Sequence, residues 1–300
     1  MVFSSTMNTA ENGSRDILVA IQKALFSNTG LLVGRFGTIE FDVCWESENG
    51  FISKDMACVL ERNAGVFPSS MDSIQKWVSA TKEAFQGADI LATGWYAPIV
   101  KREQTLIKNW NYTGSQIVLR GLEPYYSTQP MRWTNALEGH NVCVVSSFTK
   151  SMAAQVKKGE GTIWPGACNT IWPRNVKWSW VNTGYAPSMS LGRASWEEDP
   201  ESWEEAVAHV VGNVMNTNAS IVLIGCGGLG MIIAGELKRR GKICIVMGGA
   251  IQVLFGIKGG RWKNHDFISK LWNEEWVYPS ADETPGAAWA VENSCYWSAK

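Results

Sequence analysis

The chain has 300 residues, with 27 Lys+Arg against 28 Asp+Glu and a formal net charge of −1, a balance that advertises neither a nucleic-acid surface nor an acidic tail. Charged residues make up 18% and hydrophobic ones 45%, enough apolar side chain to offset chain entropy, which argues against disorder and for a soluble globular protein. Tryptophan is in excess, 16 against 7 Tyr and 10 Phe, although its size means it is rarely buried completely.

In chain order, the first stretch, MVFSSTMNTAENGSRD, lacks the positive n-region and apolar core of a secretory signal and reads as a frayed cytosolic end. A short apolar strand follows over 31–34. Ile74, Trp77, Val78, Thr81 and Phe85 keep a period near 3.6 and predict a helix over 70–86. Val/Ile/Leu-rich strands are expected over 88–92, 116–119 and 141–146. The interval 159–198, rich in Trp, Pro, Asn and Gly, has little period and is expected to cross an active-site mouth, with Trp164, Trp172, Trp178 and Trp180 as possible walls of a cleft. Trp203, Ala206, Val207, Val210, Val211 and Val214 predict a helix over 201–215, opened by Asp199-Pro200. Two more strands are expected over 219–224 and 243–247. Strands alternating with helices define an α/β protein with a Rossmann-like, mostly parallel sheet and helices on both faces. The chain reads as one domain over 1–300, or as two halves, about 1–158 and 199–300, joined by the Trp-rich segment.

The uncharged runs 218–235 and 243–257 around ELKRRGK have the outline of a membrane hairpin. Glycines at 225, 227, 228 and 230 interrupt the first, and the second is short of the roughly 20 apolar residues a span requires. Buried parallel strands give the same continuous apolar runs, so no membrane span is expected. Seven cysteines without a C-x-x-C pair support neither a disulfide framework nor a zinc ribbon and fit a reducing, cytoplasmic compartment.

Four segments carry candidate chemistry. Gly225-Cys226-Gly227-Gly228-Leu229-Gly230 ends a strand with dinucleotide spacing, which can bring backbone N–H groups to a phosphate or serve only as a tight strand–helix joint. A nicotinamide site would also need an acid about 20 residues further on, where Gly248-Gly249-Ala250 stands. In Gly34-Arg35-Phe36-Gly37-Thr38-Ile39-Glu40, Arg35 can hold a phosphate and Glu40 a sugar hydroxyl, a metal or a proton. The alternative is a structural ion pair of Arg35 with Glu40 or Asp42. The stretch 249–262, with Lys258, Arg261 and Trp262 among glycines, suits a phosphate clamp beside a stacking ring. Ser146 and Lys150 stand where a strand passes into a helix, a place that also suits a hydroxyl N-cap. His140, His209 and His265 form no metal or triad motif, and no Gly-x-Ser-x-Gly occurs.

Taken in order, Gly34-Arg35-Phe36-Gly37-Thr38-Ile39-Glu40, Ala64-Gly65-Val66-Phe67-Pro68, Gly94-Trp95-Tyr96, Leu122-Glu123-Pro124-Tyr125-Tyr126, the glycine turn at 225–230, Gly248-Gly249-Ala250 through Gly260-Arg261-Trp262, and Asn293-Ser294-Cys295-Tyr296-Trp297 resemble the glycosyltransferases of the GT-D fold and their virus- and microbe-encoded relatives. The resemblance implies a GT-D-like fold, a nucleotide sugar as donor, a saccharide or glycoconjugate as acceptor, and a cytoplasmic setting, that of the host if the chain is virus-encoded. In that family the first motif reads Arg-x-Gly-Asp-x-Glu, and its acidic pair goes with a divalent metal (Mn or Mg) and the sugar nucleotide. Here Thr38 replaces the Asp, leaving Glu40 as the matching carboxylate, and Gly249 stands where a His is common. On this reading Glu40 and Arg35 are catalytic, with Glu40 also the candidate metal ligand. Gly34, Gly37, Ser146, Lys150, Gly225, Gly227, Gly228, Gly248, Gly249, Lys258 and Arg261 hold the nucleotide sugar. Trp95 and Trp262 stack on a sugar ring. The alternatives are a non-catalytic nucleotide- or carbohydrate-binding module on the same fold, or an NAD(P)-linked enzyme.

Overall fold

The structure, a computed structural model, describes residues 2–94, 96–165 and 171–298. One all-parallel sheet runs in the order β3-β2-β1-β7-β6-β4-β5, with β1 Leu31–Arg35, β2 Ile90–Thr93, β3 Ser115–Val118, β4 Asn141–Ser146, β5 Lys177–Asn182, β6 Ile221–Gly225 and β7 Ile243–Val246. The expected α/β architecture is the one observed, and the apolar runs mark every strand but β5.

Side-chain alternation divides the core in two. Leu31, Val33, Val142, Val144, Ile221, Leu223, Ile243 and Ile245 face one side. Leu32, Leu91, Cys143, Val145, Val222, Ile224, Cys244 and Val246 face the other. Both faces are covered, which is why the strands read as unbroken apolar runs. Over the second face lie α2 (Thr38–Glu48), α3 (Lys54–Ala64), α4 (Met71–Gln86), α5 (Val100–Asn109), α7 (Trp203–Met215) and α8 (Gly230–Arg239). Over the first lie α1 (Val2–Ser27), α6 (Thr149–Lys158) and α9 (Ala250–Leu254). Serine caps open several of these helices: Ser53 accepts from the Met56 N–H (3.2 Å) and Ser70 from that of Ser73 (3.4 Å).

Three local expectations are corrected. The N-terminal stretch is not a frayed end but helix α1, whose Ala10, Ile17, Ile21 and Ala24 are buried. Its narrow stripe is broken by buried Gly13, which is there because Gly121 passes against it, its Cα 3.1 Å from where a Cβ would stand. Helix α7 is opened by Ser202, which accepts from the Glu205 N–H (3.3 Å), rather than by Asp199-Pro200; Asp199 has φ +43° and lies outside the helix. The third correction is β5, an edge strand inside the Trp-rich interval, paired in parallel with β4 from Lys177 to Asn182. Its Lys177-Trp178-Ser179-Trp180 start carries two tryptophans on one face, a composition that hid its period of two. The runs that resembled a membrane hairpin are β6 with α8 and β7 with α9. No helix among the described residues is long and apolar enough to cross a membrane.

Replacing fully buried Ile17 by Ala should cost about 2–5 kcal/mol of unfolding free energy, whereas Val19→Ala, at a position 40% exposed, should stay within about 0.5 kcal/mol. Urea denaturation of the two variants checks whether α1 belongs to the cooperative unit.

Candidate functional site

The chain leaves β1 toward the second face, into α2, and leaves adjacent β7 toward the first, into α9. Adjacent parallel strands whose connections part in this way open a crevice at their carboxyl ends, the usual ligand position of open α/β sheets. β6 and β4 part likewise, into α8 and α6. A cavity of about 490 Å³ fills this region. Its wall is drawn from the residues that follow β1, β3, β4, β5, β6 and β7, from α3 and α4, and from the C-terminal segment around Glu292 and Tyr296.

Of the residues singled out in the sequence, Arg35, Gly37, Glu40, Ser146, Gly225, Gly227, Gly228, Gly248, Gly249, Arg261 and Trp262 meet on this one wall. Gly34 does not. It lies inside β1, where an added Cβ would overlap Met231 Sδ, so its role is packing of α8 on the strand. Lys150 is exposed and pairs with Asp282. Lys258 sits with its Nζ 5.7 Å from the centre of the Trp272 ring, off the cavity wall. Trp95 lies outside the described residues. Trp164, Trp172, Trp178 and Trp180 do not wall the cleft either: the first two are 2% exposed in the core, and the other pair stacks (6.0 Å) beside Phe255. Large apolar rings gain more from burial under the sheet than from a place on a polar wall.

Glu40 is the third residue of α2, and its carboxylate doubles back over Gly37, which precedes the helix; a Cβ there would overlap it. Burial raises the Glu40 pKa against the opposing pull of its own backbone N–H, Arg35 and Arg261. Burial likewise lowers that of Arg35, while Glu123 and Glu40 resist. Asp42 pairs with Arg102 at 3.5 Å. Arg261 is held by Glu292 Oε2 (2.8 Å), by Cys295 Sγ (3.3 Å) and by the Tyr296 ring, 4.2 Å from the guanidinium carbon to the ring centre. A Cβ at Gly249 would come within 2.8 Å of that same ring, so Tyr296 occupies the space a side chain at 249 would take. Trp262 is 7% exposed and offers the cavity only part of its ring.

The glycine turn after β6 has a packing role of its own. Gly227 has φ +45° and passes so close to the end of α3 that a Cβ would stand 2.6 Å from the Ala64 carbonyl oxygen. Trp77 Nε1 donates to the Gly228 carbonyl (2.8 Å), fixing the turn from α4. The same glycines face the cavity, so the tight joint and the ligand wall are one structure. Ser146 does not cap α6; its buried Oγ accepts from the Phe148 N–H at 3.2 Å.

Three wall residues carried no assignment from sequence. Arg120 and Glu123 pair at 2.5 Å, with Arg120 also over the Tyr126 ring (4.4 Å). His265 Nδ1 accepts from the N–H groups of Phe267 (3.2 Å) and Ile268 (3.3 Å), which puts the proton of the neutral ring on Nε2. Burial and Arg120 lower its pKa and favour that neutral form. Glu123 stood inside a quoted motif, but nothing local to His265 marks it, since its neighbours on the wall are distant in sequence.

The side chains of this wall do not by themselves form a cage for a divalent metal. Thr38 offers a hydroxyl in place of a carboxylate, Glu40 is folded over its own helix terminus, and among the described residues no group of three or more His, Cys, Asp or Glu could hold an ion. Comparisons of the chain with protein-family models, with curated proteins and with solved structures find no match.

A carboxyl whose pKa is raised by folding loses stability as pH rises through that value and suffers no penalty below the ordinary carboxylate range. Glu40→Gln should therefore gain stability relative to the parent between acidic and neutral pH. Melting temperatures at about pH 4 and pH 7.5 check this; a constant offset would contradict it. Gly227→Ala should destabilise by about 1–3 kcal/mol through the Ala64 contact, read by urea denaturation.

Proposed function

We propose that the protein transfers a sugar from a nucleotide-sugar donor to a hydroxyl of a saccharide or glycoconjugate. The observation that carries this reading is the meeting, on one wall at the carboxyl ends of β1, β6 and β7, of Arg35, Glu40, the glycine turn, Gly248-Gly249 and Arg261-Trp262. These segments are far apart in sequence and are the ones that resemble the GT-D glycosyltransferases. In the proposed reaction the acceptor oxygen bonds to the anomeric carbon, its proton passes to the Glu40 carboxylate, and the bond from the anomeric carbon to the diphosphate breaks with the electron pair leaving on the nucleotide. A carboxylate held above its ordinary pKa is the stronger base, and arginines stabilise the charge that grows on the leaving group.

A second reading, a non-catalytic nucleotide- or carbohydrate-binding module, is favoured by one feature: the Glu40 carboxylate is engaged over Gly37 at the N-terminus of α2. A screen of nucleotide sugars for donor hydrolysis and transfer, with and without Mn²⁺, separates the two. The transfer reading expects turnover with at least one donor, lowered about 10²–10⁴-fold in Glu40→Gln with donor affinity little changed. Donor binding without turnover assigns the module instead, and full activity in Glu40→Gln removes Glu40 as the base.

A further inference from the structure

We propose that the cavity grips the diphosphate of its ligand between the guanidinium groups of Arg35 and Arg261, with no divalent cation between protein and phosphate. The inference rests on the nucleotide-sugar reading for its ligand class. Among the described residues, every permanently charged cationic side chain on the wall is an arginine, namely Arg35, Arg62, Arg120 and Arg261, and no lysine reaches it. Chance would favour lysine, the commoner of the two. A planar fork that donates two parallel hydrogen bonds suits phosphate oxygens, whereas an ammonium serves only as a point charge.

Placement points the same way. Arg35 ends β1, and Arg261 comes from the segment after β7, the two strands that bound the crevice. Arg261 is close enough for its charge to oppose that of Arg35. Holding two like charges beside one cavity costs free energy that a bound polyanion would recover. Arg261 is also over-determined: Glu292, Cys295 and Tyr296 fix its side chain, its own N–H donates to the Cys295 carbonyl (2.9 Å), and Nη1 is left beside side-chain-free Gly249. The carboxylates are placed differently. Glu40, Glu123 and Glu292 come from three separate segments and each faces an arginine, and among the described residues they are not part of any group of three or more metal-ligating side chains.

Calorimetric titration of the full chain with inorganic pyrophosphate and with uridine, guanosine, cytidine and thymidine diphosphates, in EDTA and again in Mn²⁺, tests the clamp. At least one of these probes should bind in EDTA with a Kd within about threefold of its value in Mn²⁺. Arg35→Gln and Arg261→Gln should each weaken that binding roughly 10- to 100-fold, while Lys150→Gln and Lys258→Gln should leave it within about twofold. Because Arg261 also ties the C-terminal segment into the wall, Arg35→Lys and Arg261→Lys are measured beside them; they keep the charge, lose the fork, and should still weaken binding by more than about threefold. The clamp is overturned if no probe binds, if Mn²⁺ tightens binding more than about tenfold, or if the arginine variants bind like the parent. Metal-free diphosphate binding without sugar transfer would sink the transfer reading and leave the clamp standing. Transfer that requires Mn²⁺ would do the reverse.

Discussion

The crevice between β1 and β7 is the constraint on which the rest of the molecule depends. Two neighbouring parallel strands send their chains to opposite faces of the sheet, and no helix can then cover both carboxyl ends. Apolar side chains close the sheet above and below, but at this edge the backbone turns are left facing a cavity. Arg35, Glu40, Glu123 and Arg261 meet at this opening, where the layers leave the strand ends uncovered.

Burial then sets the electrostatics. Arg35 and Glu40 are both pushed toward their neutral forms by loss of solvent, and each is pulled back by the opposite charges around it. Arg120 with Glu123, and Arg261 with Glu292, repeat the arrangement at other points of the wall. The result is an alternation of guanidinium and carboxylate groups along the wall. Tyr296 joins the C-terminal segment to this system, stacking under Arg261 and filling the space above Gly249.

The glycine turn shows how far a local signal carries. Its spacing marks a strand that turns sharply into a helix, and β6 and α8 are joined in that way. The spacing says nothing of Ala64, whose carbonyl presses on Gly227, or of Trp77, which holds Gly228. Lys150 and Lys258 illustrate the opposite case. Both stand in motifs at strand ends, yet one turns outward to Asp282 and the other lies over Trp272, because a flexible ammonium settles on whichever partner the fold brings near. The tryptophan excess was visible in the composition, but its use was not. Most of the rings described above complete the core or brace turns, and β5 was hidden among them.

By itself the sequence determined the α/β class, most of the strands, the helices with wide apolar stripes, and the segments whose glycines and arginines come to the strand ends. These follow from side-chain periodicity and backbone sterics, which act over a few residues. Only the tertiary structure decided which of those segments share a wall. It decided that α1 folds against the sheet, that Glu40 bends over Gly37, and that Glu123 and His265 join Arg35 and Arg261 at one cavity. Apart from the turn of Glu40 over Gly37, those outcomes depend on contacts between residues far apart in the chain, and all of them on the exchange of hydration for partners that only the packed chain supplies.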